Sequence, residues 1–183
     1  NHFFSLWLPA FCAEKYPDTY TVFAGGDDFF LIGPWLQTQK LAAEMREQFR
    51  RYVAENAAIT FSAGIAVIKP GLPPGKLSAY AEEALEAAKA YPANENEKRK
   101  QLGSKNSVCV YGQVVSWQQW SGIQEAFERI GRLKEAYGLS TGFVYSMLQF
   151  CEQAEAEKGG DINAGMWRSR FAYRTRRFVN DSK

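Results

Sequence analysis

Two aspartates, Asp27 and Asp28, stand side by side in this 183-residue chain, directly after two glycines, Gly25 and Gly26. The run Tyr20–Ala24 before them is aromatic and β-branched, which favours a strand. The run Phe29–Ile32 after them is wholly apolar, as expected of a strand covered on both faces. Gly25 and Gly26 permit a tight turn and leave the backbone open to close approach. The pattern therefore predicts a hairpin with two adjacent carboxylates at its tip. Like charges so close repel, and desolvation raises their pKa values; a divalent cation relieves both problems. Mg²⁺ prefers carboxylate oxygens, waters and substrate phosphates, so the arrangement points to a metal site for a nucleotide triphosphate. The alternative is an ordinary surface turn, where Asp and Gly are the expected residues. The flanking hydrophobicity favours the metal.

Two cationic features accompany this motif. Lys89 lies at the edge of an apolar stripe formed by Leu77, Ala81, Ala84, Leu85 and Ala88 in a predicted helix over 76–91. It can snorkel, pair with Glu86 one turn earlier, or reach a bound phosphate. From the residues alone, a solvated or salt-bridged lysine is the favoured reading. Near the C-terminus, Arg168, Arg170, Arg174, Arg176 and Arg177 crowd one predicted helix, and Arg170, Arg174 and Arg177 share a face. That face suits a nucleic-acid backbone. A solvated outer face, or one paired with acids of a neighbouring subunit, is the commoner use of such charge.

The elements that must position these residues are legible from periodicity. Phe3, Phe4, Trp7, Leu8 and Phe11 predict a core-packing helix over 2–15, bent at Pro9 and stopped before Pro17-Asp18. After the hairpin, Pro34 suits the first turn of a helix running to about Glu55, with Leu36, Leu41, Met45, Phe49 and Val53 on one face. Ile59–Ile68 reads as a strand, with Gly64 marking close backbone approach or a bulge. Pro70–Gly75 reads as a rigid loop and 92–106 as a mobile polar one. Ser107–Tyr111 is a further strand, with Val114-Val115 as its pairing partner. The order predicts an α+β fold, an antiparallel sheet with helices on one face. After about Trp117 the strands stop. Three helices follow as a small bundle: 118–137 with Ile123, Phe127, Ile130 and Leu133 inward, one capped by Ser140 with Val144, Met147, Leu148 and Cys151 inward, and one capped by Asp161. The expected domains are 1–116 and 117–183.

Composition excludes several function classes. The chain is 46% hydrophobic, enough for a real core, and its net charge is only +2, so any nucleic-acid contact must be local. Cys12, Cys109 and Cys151 are scattered, which argues against a zinc site or disulfide framework and for a reducing, cytoplasmic setting. The single histidine, His2, disfavours Ser-His or Cys-His catalysis. No run approaches the roughly 20 apolar residues that span a bilayer, and no signal peptide is visible, so no membrane partner is expected. The chain begins with Asn1, not Met, as expected of a processed or truncated piece.

Taken together, Ala24-Gly25-Gly26-Asp27-Asp28-Phe29-Phe30-Leu31-Ile32-Gly33-Pro34-Trp35, then Phe61-Ser62-Ala63-Gly64-Ile65, then Ala84-Leu85-Glu86-Ala87-Ala88-Lys89, then Lys105-Asn106-Ser107, form an ordered set. The set resembles the second Palm domain of the large signature subunit of type III CRISPR effector complexes, especially the Csm type. The basic helical tail resembles that subunit's C-terminal helical domain. The resemblance implies a Palm, nucleotidyl cyclase-type fold and cyclic oligoadenylate synthesis from ATP with Mg²⁺ or Mn²⁺. It implies Asp27 and Asp28 as catalytic metal-binding acids, Gly25 and Gly26 as phosphate-approach positions, and Lys89 as a phosphate contact. It gives Ser62 a motif position without a role. It also implies other effector subunits, crRNA, target RNA and a first Palm domain as partners, with Arg170, Arg174 and Arg177 as a contact to RNA or subunits. The chain starts inside the helix before the hairpin, so the expected preceding strand, with a third acidic ligand and a phosphate-binding turn, is missing. The first Palm domain and a nuclease domain are missing too, and this chain alone is expected to make no product. Two other readings stand beside this one. One is a diguanylate cyclase of the GGDEF class, disfavoured by the basic tail and by the absence of an R-x-x-D site at Tyr16–Thr19. The other is a non-catalytic module binding RNA or subunits.

Overall fold

The computed structural model describes residues 2–90 and 106–181. It opens on a wide π-helical turn, Phe3–Trp7, that runs into α1, Leu8–Lys15. The Leu8 N–H reaches back five residues to the Phe3 carbonyl. Pro9 follows at once and has no N–H to offer, so the wide turn absorbs the proline where a bend was expected. The hairpin follows as β1, Tyr20–Gly25, and β2, Asp28–Ile32. Then come α2, Trp35–Tyr52; β3, Ala63–Ile65; α3, Pro74–Ala90; β4, Ser107–Val110; and β5, Gln113–Ser116. Three helices end the chain: α4, Trp117–Tyr137; α5, Thr141–Lys158; and, after a 3₁₀ turn at Ile162–Met166, α6, Trp167–Asp181. The loop predicted over 92–106 lies, Asn106 apart, outside the described residues.

The α+β class stands, and the strands add detail. β1 and β2 form an antiparallel two-stranded ribbon, with a register shift between Thr21 and Phe23. A separate sheet runs β3-β4-β5, in which β3 and β4 are parallel and β4 and β5 antiparallel. The parallel step arises because α3 carries the chain back before β4 begins. This sheet is covered on both faces, not one. Ala63, Ile65, Val108 and Val110 point into an apolar core with α2 and the first helix. Gly64 and Ser107 point the other way, against α3.

The strand expected over 59–68 shrinks to three residues because its neighbours bond elsewhere. The Ile59 N–H donates to the Asn56 carbonyl, and the buried Trp117 Nε1 donates to the Phe61 carbonyl at 2.8 Å. β2 is covered on one face only. Phe29 and Leu31 pack on the core, whereas Ile32 is exposed, as are Tyr20, Val22 and Phe23 of β1.

The core itself is aromatic. Phe4 stacks on Phe29 and on Phe49, Phe49 meets Phe61 edge-on at 5.1 Å, and Phe61 meets Trp117. Fully burying each such ring stabilises the fold by about 1.5–3 kcal/mol.

The chain divides into two compact units, 1–123 and 124–183, with α4 running from one into the other. In the second unit α5 and α6 pack through Phe143 on Phe178 and Phe150 on Phe171. Ser140 caps α5 as expected, its Oγ accepting from the Phe143 N–H. The inward face predicted for α4 is not buried. Ile123, Phe127, Ile130 and Leu133 are all exposed, as are Leu148 and Cys151 of α5. The ring contacts between α5 and α6 fall instead on Phe143 with Phe178 and on Phe150 with Phe171, of which only Phe150 is buried.

Candidate metal and nucleotide site

The GGDD turn is built as tightly as two residues allow. Gly25 pairs with Asp28, leaving Gly26 and Asp27 as the loop. Gly26 has φ +63° and Asp27 does not share a positive φ, the requirement of a II′-type connection with glycine first. No described atom beyond the chain neighbours lies within 4 Å of where a Cβ at Gly25 or Gly26 would sit. The backbone there is open to a ligand.

Asp27 and Asp28 are both exposed at the tip. The desolvation expected of carboxylates between apolar strands is therefore absent, because β2 is covered on one face and the acids lie beyond it. What fixes the tip is Phe29. Its ring stacks on Phe4 at 5.1 Å and meets Phe61 edge-on at 6.4 Å, which anchors the residue next to Asp28.

Lys89 occupies the last turn of α3, where a cation complements the helix dipole. Its Nζ donates to the Glu86 carboxylate at 2.8 Å, the pairing weighed from sequence. Its pKa is raised first by that hydrogen bond and then by neighbouring carboxylate charge, that of Asp28 included. The ammonium of α3 and the tip of the hairpin thus lie within electrostatic reach of one another. Glu86 competes for the same ammonium, and a phosphate arriving beside Lys89 must share it.

The end of α3 is held by residues whose part periodicity did not reveal. Ser107, fully buried, donates its hydroxyl to the Ala88 carbonyl at 2.5 Å. Ser62, whose role was open, lies with its Oγ 3.5 Å from that of Ser107 and accepts from the Asn106 N–H. Arg46 of α2 donates to the Asn106 side chain at 3.0 Å. The signal was present in Phe61-Ser62 and Asn106-Ser107, hydroxyl and amide residues at apolar strand starts. Nothing in spacing said that they meet. Gly64 completes the mounting, because α3 backbone atoms sit where its Cβ would be.

The donor set fits a hard cation in part. Two carboxylates with open space beside them suit Mg²⁺ or Mn²⁺ held also by substrate phosphates. Among the described residues no group of three or more His, Cys, Asp or Glu could hold a metal. Arg170, Arg174 and Arg177 line a cleft in the second unit. Cys12, Cys109 and Cys151 are free thiols, the first two buried. No described helix is long and apolar enough to cross a membrane.

Comparison with known proteins gives this geometry a family. The family model described as Cas10/Cmr2, second palm domain, matches residues 1–109. The chain is 36% identical over 104 residues to a Methanocaldococcus jannaschii protein named CRISPR system single-strand-specific deoxyribonuclease Cas10/Csm1 (subtype III-A), covering 56% of this chain and 13% of that protein. Proteins of the same name from Thermococcus onnurineus and Enterococcus italicus are 36% and 30% identical, over 74% and 70% of this chain and 18% and 16% of their own lengths. The chain thus spans less than a fifth of each of these relatives. The family model matches well over half of the chain, and the chain belongs to the Cas10/Cmr2 family, of which it carries the second palm domain.

Proposed function

We propose that this chain supplies one half of a metal-dependent nucleotidyltransferase site, which joins ATP into 3′-5′ linked cyclic oligoadenylate within a type III CRISPR effector complex. What supports the reading is the two-residue Gly25-Gly26-Asp27-Asp28 turn, with exposed carboxylates and a backbone open to phosphate, in a chain of the Cas10/Cmr2 second palm family. Asp27 and Asp28 would hold Mg²⁺ or Mn²⁺. Bound there, the ion neutralises phosphate charge and favours ionisation of an attacking hydroxyl.

The chain's own residues then have separate tasks. Gly25 and Gly26 let a triphosphate approach the backbone. Lys89 leaves Glu86 in part and places positive charge on the phosphates. The 3′-hydroxyl of one ATP attacks the α-phosphorus of another. A P–O bond forms there, the bond to the β-phosphate oxygen breaks, pyrophosphate leaves, and the hydroxyl proton passes to solvent. A first Palm domain would complete the site. Other effector subunits, crRNA and target RNA are the proposed partners, and the cytoplasm the proposed setting. The relatives are named for a single-strand-specific deoxyribonuclease. The groups this chain offers, two aspartates and a lysine, suit phosphoryl transfer at a triphosphate.

The test is a complete effector complex carrying Asp27→Ala and Asp28→Ala, assayed with ATP and Mn²⁺. Loss of cyclic oligoadenylate with assembly intact supports the proposal. Unchanged yield favours a non-catalytic hairpin, and preference for GTP over ATP favours a diguanylate cyclase-like site.

A further inference from the structure

We propose that Arg46 of α2 is a second cationic contact for the phosphates of the bound nucleotide, acting beside Lys89. The inference rests on the reading of Lys89 as a phosphate contact and adds a residue that helix spacing does not single out.

Arg46 is a partly buried guanidinium without a counter-ion. Among the described residues the guanidinium makes one hydrogen bond, from Nη2 to the neutral Asn106 side chain at 3.0 Å, and no ion pair. Both acids of α2 are engaged by other cations. Glu44 holds Lys15 at 2.7 Å, and Glu47 holds Arg50 at 3.0 Å and Arg51 at 3.1 Å. Burial, and then the Arg50 charge, lower the Arg46 pKa, and the Glu47 charge offsets them only in part. A charge taken out of water is ordinarily paired, because its desolvation is otherwise uncompensated. A guanidinium also carries several N–H donors, and Asn106 takes one of them. The remaining donors suit phosphate oxygens, which arginine engages in a planar fork.

The contacts of Arg46 lead to both halves of the candidate site. Its acceptor, Asn106, precedes Ser107, whose hydroxyl holds the Ala88 carbonyl, and Lys89 is the next residue. One turn along α2, Phe49 stacks on Phe4, and Phe4 stacks on Phe29 beside Asp28. Arg46 is thus joined to the lysine through the start of β4 and to the hairpin through the aromatic core. Two cations joined in this way suit an anion with several charged oxygens, as a triphosphate has.

The test is an NMR titration of the isotope-labelled full chain with inorganic tripolyphosphate, without metal. It reads the Arg46 Nε–Hε signal, assigned by its absence in Arg46→Lys, and the Lys89 amide. Both are expected to shift with one Kd, a result that needs no variant to fold. Arg46→Gln is expected to weaken this binding at least about tenfold. Arg46→Lys keeps the charge and loses the fork, and is expected to weaken it less. Arg132→Gln, exposed in the second unit, is expected to change it less than about twofold. Asp27→Ala with Asp28→Ala removes negative charge and is expected to leave the metal-free binding intact, which separates this test from that of the metal site. A shift at Lys89 without one at Arg46 overturns the assignment and leaves Lys89 as read. No shift at either residue also overturns it, and the hairpin reading is then judged by its Mn²⁺·ATP response alone. Glutamate that shifts Arg46 as readily as tripolyphosphate, at matched ionic strength, overturns it as well.

Discussion

Gly64→Ala is the sharpest perturbation the fold offers. A Cβ at this position would stand 2.2 Å from the Leu85 nitrogen, 2.6 Å from the Ala84 carbonyl carbon and 2.7 Å from the Ala81 oxygen. All three are α3 backbone atoms, so no side-chain rotation relieves the clash. Restoring even a 3.4 Å contact parts α3 from β3 by about 1.2 Å at Leu85. Overpacking of this kind costs about 1–3 kcal/mol, and the absence of a yielding side chain puts Gly64→Ala near about 3 kcal/mol. For a chain of this size that is a fall of roughly 6–12 °C in midpoint. The assay is thermal unfolding by circular dichroism, with hydrogen exchange read along α3. Gly75→Ala is the control, since that helix position faces open space and the change is neutral or stabilising by up to about 1 kcal/mol. In an assembled enzyme the Gly64 variant should also lose about a hundredfold in turnover, because α3 carries Lys89 and a displacement near 1 Å is felt at a reacting centre. A Gly64→Ala chain that melts within about 1 °C of the parent, with α3 exchange unchanged, refutes the packing argument.

Other outcomes follow from the same contacts. Ser107→Ala removes the donor to the Ala88 carbonyl in a buried seam and should cost about 1–3 kcal/mol in a urea titration, with faster exchange in the last turn of α3. Asp27→Ala and Asp28→Ala, both exposed, should leave stability within about 0.5 kcal/mol, yet abolish Mn²⁺-dependent ATP binding measured by calorimetry. Tyr16 is buried and its pKa is pushed up to about 12, first by burial and then by the Glu44 carboxylate. The native state therefore holds the phenolic proton more tightly than the unfolded chain, whose tyrosine titrates near pH 10. That stabilisation is complete below about pH 10 and is lost as the pH rises to about 12, at most about 2.7 kcal/mol. Tyr16→Phe should flatten this alkaline decline in guanidinium titrations, and an unchanged decline would count against it.

How much the sequence disclosed depends on the kind of force involved. Turn chemistry was legible, because Gly25-Gly26-Asp27-Asp28 leaves few backbone options and Gly26 adopts the left-handed φ that glycine tolerates. Gly64 was legible for the same reason, since a missing Cβ between apolar strand residues signals close approach. The Lys89–Glu86 pair follows from helix spacing alone. Long-range donors and acceptors were not legible. Trp117 Nε1 takes the Phe61 carbonyl out of any ladder, and no local pattern announces a contact 56 residues away. The parallel step from β3 to β4 hides in the same way, because a strand's own residues do not state its neighbour's direction. Burial was misjudged where periodicity was trusted without a partner. The stripe Ile123, Phe127, Ile130 and Leu133 has helical spacing but stays exposed, while the aromatics of α5 and α6 make the contacts. The exposure of Asp27 and Asp28 belongs to that same error, for it follows from β2 being covered on one face.

The central claim is that the hairpin tip and the end of α3 form one binding site. Paramagnetic broadening by Mn²⁺·ATP in the isotope-labelled chain measures this directly. The account predicts that the amide signals of Gly25, Gly26, Asp27, Asp28 and Lys89 broaden together, and that Asp27→Ala with Asp28→Ala abolishes the effect at Lys89 as well. Broadening at the hairpin that leaves Lys89 sharp, or broadening centred on another surface, would contradict it.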